Sequence, residues 1–157
     1  MKKRTASKHR VTKETDINLS VNLDGQGRYD VETTIPFLNH MLELFSKHSL
    51  IDLKVKAKGD THIDNHHLVE DIGITLGLAI NEALGDKKGI QRYGFFLLPM
   101  DESLSYVAID LSGRAWIEYD APHFKKDYWK TFDLDLVEDF FQALGSAARM
   151  NLHIKLM

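Results

Sequence analysis

The sequence predicts an α+β fold made by internal duplication. Three observations carry this reading. Apolar residues alternate with period two in some stretches and recur every three to four residues in others. The order strand, strand, helix, strand, helix in the first half starts again in the second. One long block of the second half lies on the first without a gap, and the second copy ends before its last helix.

Along the chain, the basic run of Lys2, Lys3, Arg4, Lys8, Arg10 and Lys13 reads as a solvated edge strand or tail. DINLSVNLD (16–24) sets Ile17, Leu19, Val21 and Leu23 on one side, a half-buried strand that ends in the turn DGQG. YDVETTI (29–35) is its partner. Pro36 then opens a helix through FLNHMLELFSKH, with Phe37, Leu38, Met41, Leu42 and Phe45 on one face. LIDLKVKAKG (50–59) alternates again, and HHLVEDIGITLGLAINEALGD (66–86) is a second long helix stopping near Gly85.

In the second half, LSYVAIDLSG (104–113) mirrors INLSVNLDG, with Leu111 matching Leu23 and Gly113 matching Gly25. AWIEYD (115–120) is the partner strand, and a longer loop carries His123 and Trp129. DLVEDFFQALGSAARMNLHIKLM follows. At a constant offset of 99, Leu38 meets Val137, Met41 meets Phe140, Leu42 meets Phe141 and Phe45 meets Leu144. In the strand, Ile51 meets Met150, Leu53 meets Leu152 and Val55 meets Ile154. A pattern kept through helix, turn and strand is a repeat rather than chance amphipathicity. The division is one domain over 1–157, with repeat one at about 1–88 and an incomplete repeat two at about 89–157. Met157 falls opposite Lys58, so the second repeat has no counterpart of the 66–86 helix. Either another chain covers that apolar surface or the sequence is a truncated form of a longer protein; truncation is the expectation taken.

Composition narrows the chemistry. With no cysteine, disulfides, iron–sulfur clusters and thiolate zinc sites are excluded, which suits a cytoplasmic protein. No apolar run approaches a membrane span, and no apolar stretch follows the N-terminal charges as in a secretory signal. The basic run has no aromatic stacking motif beside it, so neither nucleic acid nor membrane is expected as a partner.

Eight histidines are the distinctive feature. In DNHHLVED (64–71), His66 and His67 diverge by about 100° at a helix start, and Glu70 lies within a turn of both. Imidazole with carboxylate is a ligand set for Mn, Fe, Co or Zn. Diverging rings call for two metal ions or for one metal completed by another subunit; the plain alternative is a solvated helix start with acidic residues favouring the dipole. The zincin order His-Glu-x-x-His is absent. His40 and His48 lie two turns apart on the first helix. A histidine set among apolar neighbours, as His40 is, is ordinarily a core residue, but its repeat counterpart is Asp139, another possible ligand. His62 and His153 read as structural, and His9 and His123 as solvent-facing. Arg92, in KKGIQRYG, and Arg114, after Ser112-Gly113, stand at turns where a guanidinium can fork onto phosphate. Glu14, in RVTKETDI, reads as a carboxylate on an edge strand without a visible role.

RVTKETDI, FLNHMLELFSKH, GDTHIDNHHLVEDIGI, KKGIQRYG, PMDESL, DLSGR and LVEDFFQAL, in this order and spacing, resemble imidazoleglycerol-phosphate dehydratase, the hydro-lyase of histidine biosynthesis. The resemblance covers nearly the whole chain. It implies two half-domains, each a four-stranded sheet with two helices on one face, in the class typified by domain 2 of ribosomal protein S5. It implies a cytoplasmic homo-oligomer of 24 subunits in the complete family member, assembled through Mn²⁺ sites, two ions per active site. The metal ligands carry over to His40, His66, His67 and Glu70; where many relatives have a fifth, histidine, ligand this chain has Asp139. Glu14 matches the acid–base group near the substrate, Arg92 and Arg114 the phosphate-binding arginines, and His48 lies in the segment lining the site. With His40, His66 and Glu70, these make up the implied substrate-binding set.

The implied mechanism uses bound metals as Lewis acids on the substrate's imidazole, ring deprotonation with Glu14 as base helping to expel a hydroxyl. The family's second His-His-x-x-Glu helix, and the lysine and serine that complete the phosphate site, have no match here. The expectation is therefore weak metal binding, little or no turnover and a smaller assembly. The rival expectation is a non-catalytic metal-binding or assembly protein on the same scaffold, which needs the histidines but not Glu14, Arg92 or Arg114.

Overall fold

A computed structural model describes residues 3–122, 128–129 and 132–157. Its first half runs β1 (Thr5–Val11), β2 (Thr15–Asn22), β3 (Tyr29–Glu32), α1 (Pro36–Ser49), β4 (Asp52–Gly59) and α2 (His66–Leu84). The second runs β5 (Tyr93–Met100), β6 (Ser103–Asp110), β7 (Trp116–Asp120), a short hairpin of β8 (Tyr128–Trp129) and β9 (Phe132–Asp133), α3 (Leu136–Ala148) and β10 (Asn151–Leu156). The two four-stranded sheets have the same topology. Their orders are β1-β2-β4-β3 and β5-β6-β10-β7, each with one parallel pair, β3 with β4 and β7 with β10. The α+β reading and the repeat of sheet plus helix hold in three dimensions.

Alternation in the sequence becomes the buried face of the first sheet. Ile17, Leu19 and Val21 from β2, and Leu53, Val55 and Ala57 from β4, all point to one core. Leu38 and Leu42 of α1 close one side, and Leu68, Val69, Ile72 and Leu76 of α2 the other. Pro36 starts α1 at its first turn, as expected, and Gly85 ends α2 with φ of +59°. Burying one such side chain contributes about 1.5–3 kcal/mol, so this face anchors the first half.

Helix α2 lies over β1 and β2 and packs along α3. The helices come close because α2 presents glycines: a Cβ on Gly73 would lie 2.7 Å from the Phe140 carbonyl oxygen, and one on Gly77 2.5 Å from that of Leu144. Opposite them stand the small residues Ala143 and Ala147. The second sheet is covered differently. Helix α3 packs on β7, while β5, at the sheet edge, leaves Phe95, Phe96, Leu97, Leu98 and Met100 exposed.

The basic N-terminal run forms the edge strand β1, as expected, paired with β2 from Thr5 to Val11. Five expectations need correction. Strands β3 and β7 pair with β4 and β10, not with the strands that precede them, β2 and β6. Strand β5 was not marked by alternation, because FFLLP has apolar residues on both faces. Trp129 belongs to a strand, not to a loop. Met41 is 37% exposed: the buried stripe of α1 runs through Leu38, Leu42 and Ser46, and Met41 falls at its border. His40 is exposed, not a core histidine, because it lies off that same stripe. His123 lies outside the described residues.

Candidate metal and substrate site

The N-terminus of α2 collects the candidate ligands. The Asp64 carboxylate accepts a hydrogen bond from the His66 main-chain N–H at 2.8 Å and fixes the first turn. The rings of His66 and His67 then diverge, with centroids 5.7 Å apart and planes tilted by 60°. Each finds a different carboxylate environment.

His66 faces α3. Its Nε2 lies 3.9 Å from Glu70 Oε2, one turn along α2, and 3.9 Å from Asp139 Oδ2 across the helix pair. Glu70 and Asp139 stand at one end of a groove continued by Ile74, Gln142, Ala143, Ser146 and Ala147. The glycine contact between α2 and α3 thus sets the distance at which Asp139 meets His66. His67 faces the other way. Its Nδ1 lies 3.0 Å from Asp60 Oδ2 and 3.3 Å from Oδ1, and this hydrogen bond is the main cause that holds the imidazole above its ordinary pKa. The charges of Asp64 and Glu14 act in the same direction, which puts Glu14 in this neighbourhood.

Glu14 sits in the turn between β1 and β2, not on a strand as expected. Thr12 organises that turn by accepting from the main-chain N–H of Glu14 at 3.1 Å and of Thr15 at 2.9 Å. The main-chain N–H of Asp60 donates to the Glu14 carbonyl at 3.1 Å. Asp60 was missed in the sequence; its position, directly after a strand and seven residues before His67, gave no helical spacing to notice. Asp71, next to Glu70, is a buried structural residue. It accepts from Arg10 Nε at 2.9 Å and from Thr15 Oγ1 at 2.5 Å, tying α2 to β1 and β2.

The arginines are elsewhere. Arg92 grips Asp110 with Nε at 2.6 Å and Nη2 at 3.0 Å, and its guanidinium lies 4.9 Å from the Tyr93 ring centroid. Asp110 is held below its usual carboxylate value, first by that hydrogen bond and then by the charges of Arg92, Arg114 and Lys87. Three cations therefore converge on one carboxylate, and Arg114 itself is exposed at the Ser112–Gly113 turn. Among the described residues no hydrogen bond or ion pair joins Arg92 or Arg114 to the histidines, and none joins His40 or His48, both exposed on α1, to His66, His67 or Glu70. His9 is solvent-facing as expected, beside Asp16, and His153 is exposed on β10.

One imidazole with two carboxylates, and a second imidazole whose Nδ1 is already engaged, are the donors that Mn, Fe, Co or Zn accept. Among the described residues no three of these groups yet converge as a closed cage. The chemistry fits, and the cage is incomplete within one chain.

The model for imidazoleglycerol-phosphate dehydratase matches residues 33–157. The imidazoleglycerol-phosphate dehydratase of Endomicrobium trichonymphae is 58% identical over 158 residues, covering 100% of this chain and 80% of that protein. That of Listeria monocytogenes serotype 4b is 54% identical over 154 residues, covering 98% and 79%. Among solved structures, the dehydratase of Staphylococcus aureus superposes with a TM-score of 0.85 at 40% identity, over 98% of this chain and 84% of that one. The Pyrococcus furiosus structure gives 0.80 at 33% identity, over 96% and 79%.

Proposed function

The chain belongs to the imidazoleglycerol-phosphate dehydratase family, hydro-lyases of histidine biosynthesis, and from that premise we propose that it dehydrates imidazole glycerol phosphate to imidazole acetol phosphate in a metal-dependent reaction. The observation that carries the metal half is the convergence on His66 of Glu70, one turn along α2, and Asp139, across on α3, each at 3.9 Å. His66, His67, Glu70 and Asp139 would hold Mn²⁺, with His40 supplied from outside this cluster, and the divergence of the two rings is compatible with the two ions per site that the family resemblance implies. When bound, the metal supplies Lewis-acid polarisation of the substrate's imidazole.

The chain's own residues do the rest. Glu14, exposed at its turn and near His67, takes a proton from the ring and passes it to the side-chain hydroxyl, which the released electrons expel as water. Moving the proton of the adjacent carbinol carbon back to the ring nitrogen then gives an enol that tautomerises to the ketone. Arg92 and Arg114 hold the phosphate, Arg92 exchanging its fork on Asp110 for the substrate's oxygens. His48, exposed near the end of α1, lines the substrate's approach.

Because no closed cage forms among the described residues of one chain, the reading includes assembly. A homo-oligomer completes the ligand set, approaching the 24 subunits of the family or stopping at a smaller particle, and turnover by the isolated chain is low. The compartment is the cytoplasm. No helix among the described residues is long and apolar enough to cross a membrane.

Turnover of imidazoleglycerol phosphate with added Mn²⁺, followed by NMR of the imidazole ring protons, tests this reading. The expected result is slow, Mn²⁺-dependent product formation, well below that of the Listeria relative assayed alongside. Arg114→Ala should weaken substrate binding by about 10-fold or more while Mn²⁺ affinity stays unchanged, the loss of one charge-assisted contact. A chain that neither turns over nor binds the substrate, or an Arg114→Ala variant with unaltered affinity, leaves only a metal-binding scaffold. A rate equal to the relative's removes the claim of low turnover.

A further inference from the structure

One residue upstream of the DNHHLVED stretch touches both sides of the site. Asp60 follows β4, and its side chain is only 15% exposed, against 44% for His67. Its carboxylate lies 3.0 Å from His67 Nδ1, and its main-chain N–H donates to the Glu14 carbonyl at 3.1 Å. The turn that carries it is closed by the Ile63 N–H donating back to the Asp60 carbonyl at 2.8 Å. Donor, acceptor and carbonyl of one residue are thus all committed.

We propose that Asp60 is a positioning residue, whose carboxylate fixes His67 with its proton on Nδ1 and leaves Nε2 as the metal-facing nitrogen, while its main chain holds the Glu14 turn at the same point. The inference rests on the metal reading given above. An ionised carboxylate only accepts hydrogen bonds, so at 3.0 Å the imidazole nitrogen must donate. In free histidine the neutral ring prefers the other tautomer, with the proton on Nε2, and that form would offer no lone pair to a metal there. Asp60 reverses the preference before any metal arrives. A carboxylate behind a ligating imidazole also makes the ligand more basic, and removing such a partner generally costs about 10- to 100-fold in metal affinity. The main-chain contact adds a second consequence. Because the same residue fixes the base and the ligand, a shift of the 60–63 turn moves both together.

The tautomer is read first, on the metal-free wild-type chain at a pH where His67 is neutral, from two-bond ¹⁵N–¹H correlations of the ring. The proposal expects the proton on Nδ1; a proton on Nε2 overturns it, whatever the metal results. Mn²⁺ affinity is then measured by electron paramagnetic resonance of the free ion for wild type, Asp60→Asn and Asp60→Ala, with circular dichroism melting in parallel. Asp60→Ala should lose about 10- to 100-fold in affinity and release the ring to the Nε2–H form. Asp60→Asn, whose amide can turn either its oxygen or its NH2 to Nδ1, no longer obliges Nδ1 to donate and should fall between wild type and Asp60→Ala in affinity. Equal affinity of wild type and Asp60→Ala overturns the positioning role. Should Asp60→Ala fail to fold, the comparison of Asp60→Asn with wild type carries the same decision: an Nδ1–H tautomer and a Mn²⁺ affinity both equal to wild type, with the fold intact, overturn the proposal. A wild-type chain without measurable Mn²⁺ affinity instead overturns the site reading on which the metal half rests.

Discussion

Glu70 and Asp71 are neighbours with opposite tasks. Glu70 is half-exposed beside His66, whereas Asp71 is buried and held by Arg10 and Thr15. Asp71→Asn removes the charge while keeping the shape, so Arg10 loses its ion pair at a site it only partly shares with solvent. The expected cost is about 1–3 kcal/mol in urea denaturation, with the α2 start loosened. An unchanged midpoint would show that Thr15 alone holds the helix. Asp52 provides a pH test. The main-chain N–H groups of Gln26 and Arg28 donate to it at 2.8 and 2.9 Å and, as the largest causes, hold its pKa below the ordinary carboxylate value. A depressed carboxylate stabilises the fold above its unfolded pKa, and that contribution is lost as pH falls through the folded value. The stability gap between wild type and Asp52→Asn should therefore be widest at neutral pH and close below about pH 4. A gap independent of pH contradicts it. At this scale the sequence showed which residue types were present but not their partners. His66, Glu70 and Asp139 were named as candidate ligands from helical spacing and the repeat, and the structure places them together. Asp60 and Asp110 escaped because their partners, His67 and Arg92, are joined to them through turns and strand pairing rather than through a helical period.

At the scale of elements, the helix pair α2–α3 links fold to site. Gly73 and Gly77 stand one turn apart on α2, and the closest approach to α3 runs over both. A methyl group at Gly77 would meet the Leu144 carbonyl at 2.5 Å and Ala147 Cβ at 2.7 Å, main chain and a rigid stub that cannot swing aside. Gly77→Ala gains up to about 1 kcal/mol of helix propensity. Overpacking costs about 1–3 kcal/mol, and the helices must part. The net expectation is a loss of stability together with weaker Mn²⁺ binding, since Asp139 recedes from His66. Gly85→Ala, with nothing within 4 Å of its Cβ but a φ of +59°, is the control: it should cost stability without touching metal affinity. If both variants lose metal binding equally, helix spacing is not what sets the site. The elements themselves were largely legible. The strands at β2 and β4 follow from alternation, α1 from Pro36 and its stripe, α2 from its period and Gly85. Strand β1 was legible only as an edge strand or tail, and β5 not at all, because a basic strand and a doubly apolar edge strand both lack the two-residue alternation on which the reading depends.

For the whole molecule, the two halves share a topology and differ in cover. Helices α1 and α2 lie on the first sheet; among the described elements, α3 alone lies on the second, toward β7. Phe96 and Leu98 pair across from Val107 and Ser105, on the side where Val107 and Ile109 reach the core, so they extend the core face into solvent. Phe96 is 68% exposed and Leu98 59%. A second copy of this chain is the occupant this surface predicts, since a two-fold axis would bury the exposed Phe96 and Leu98 of both copies at once. Sedimentation at tens of micromolar should show a dimer or larger species that survives EDTA. Phe96→Lys, which sets a charge in the middle of the face, should shift it to monomer, while Phe95→Lys, paired opposite Ala108 on the other side of the sheet, should not. Dissociation by EDTA in the wild type would mean that metal ligation rather than the apolar face holds the copies together. A wild-type monomer throughout would remove the face as an interface.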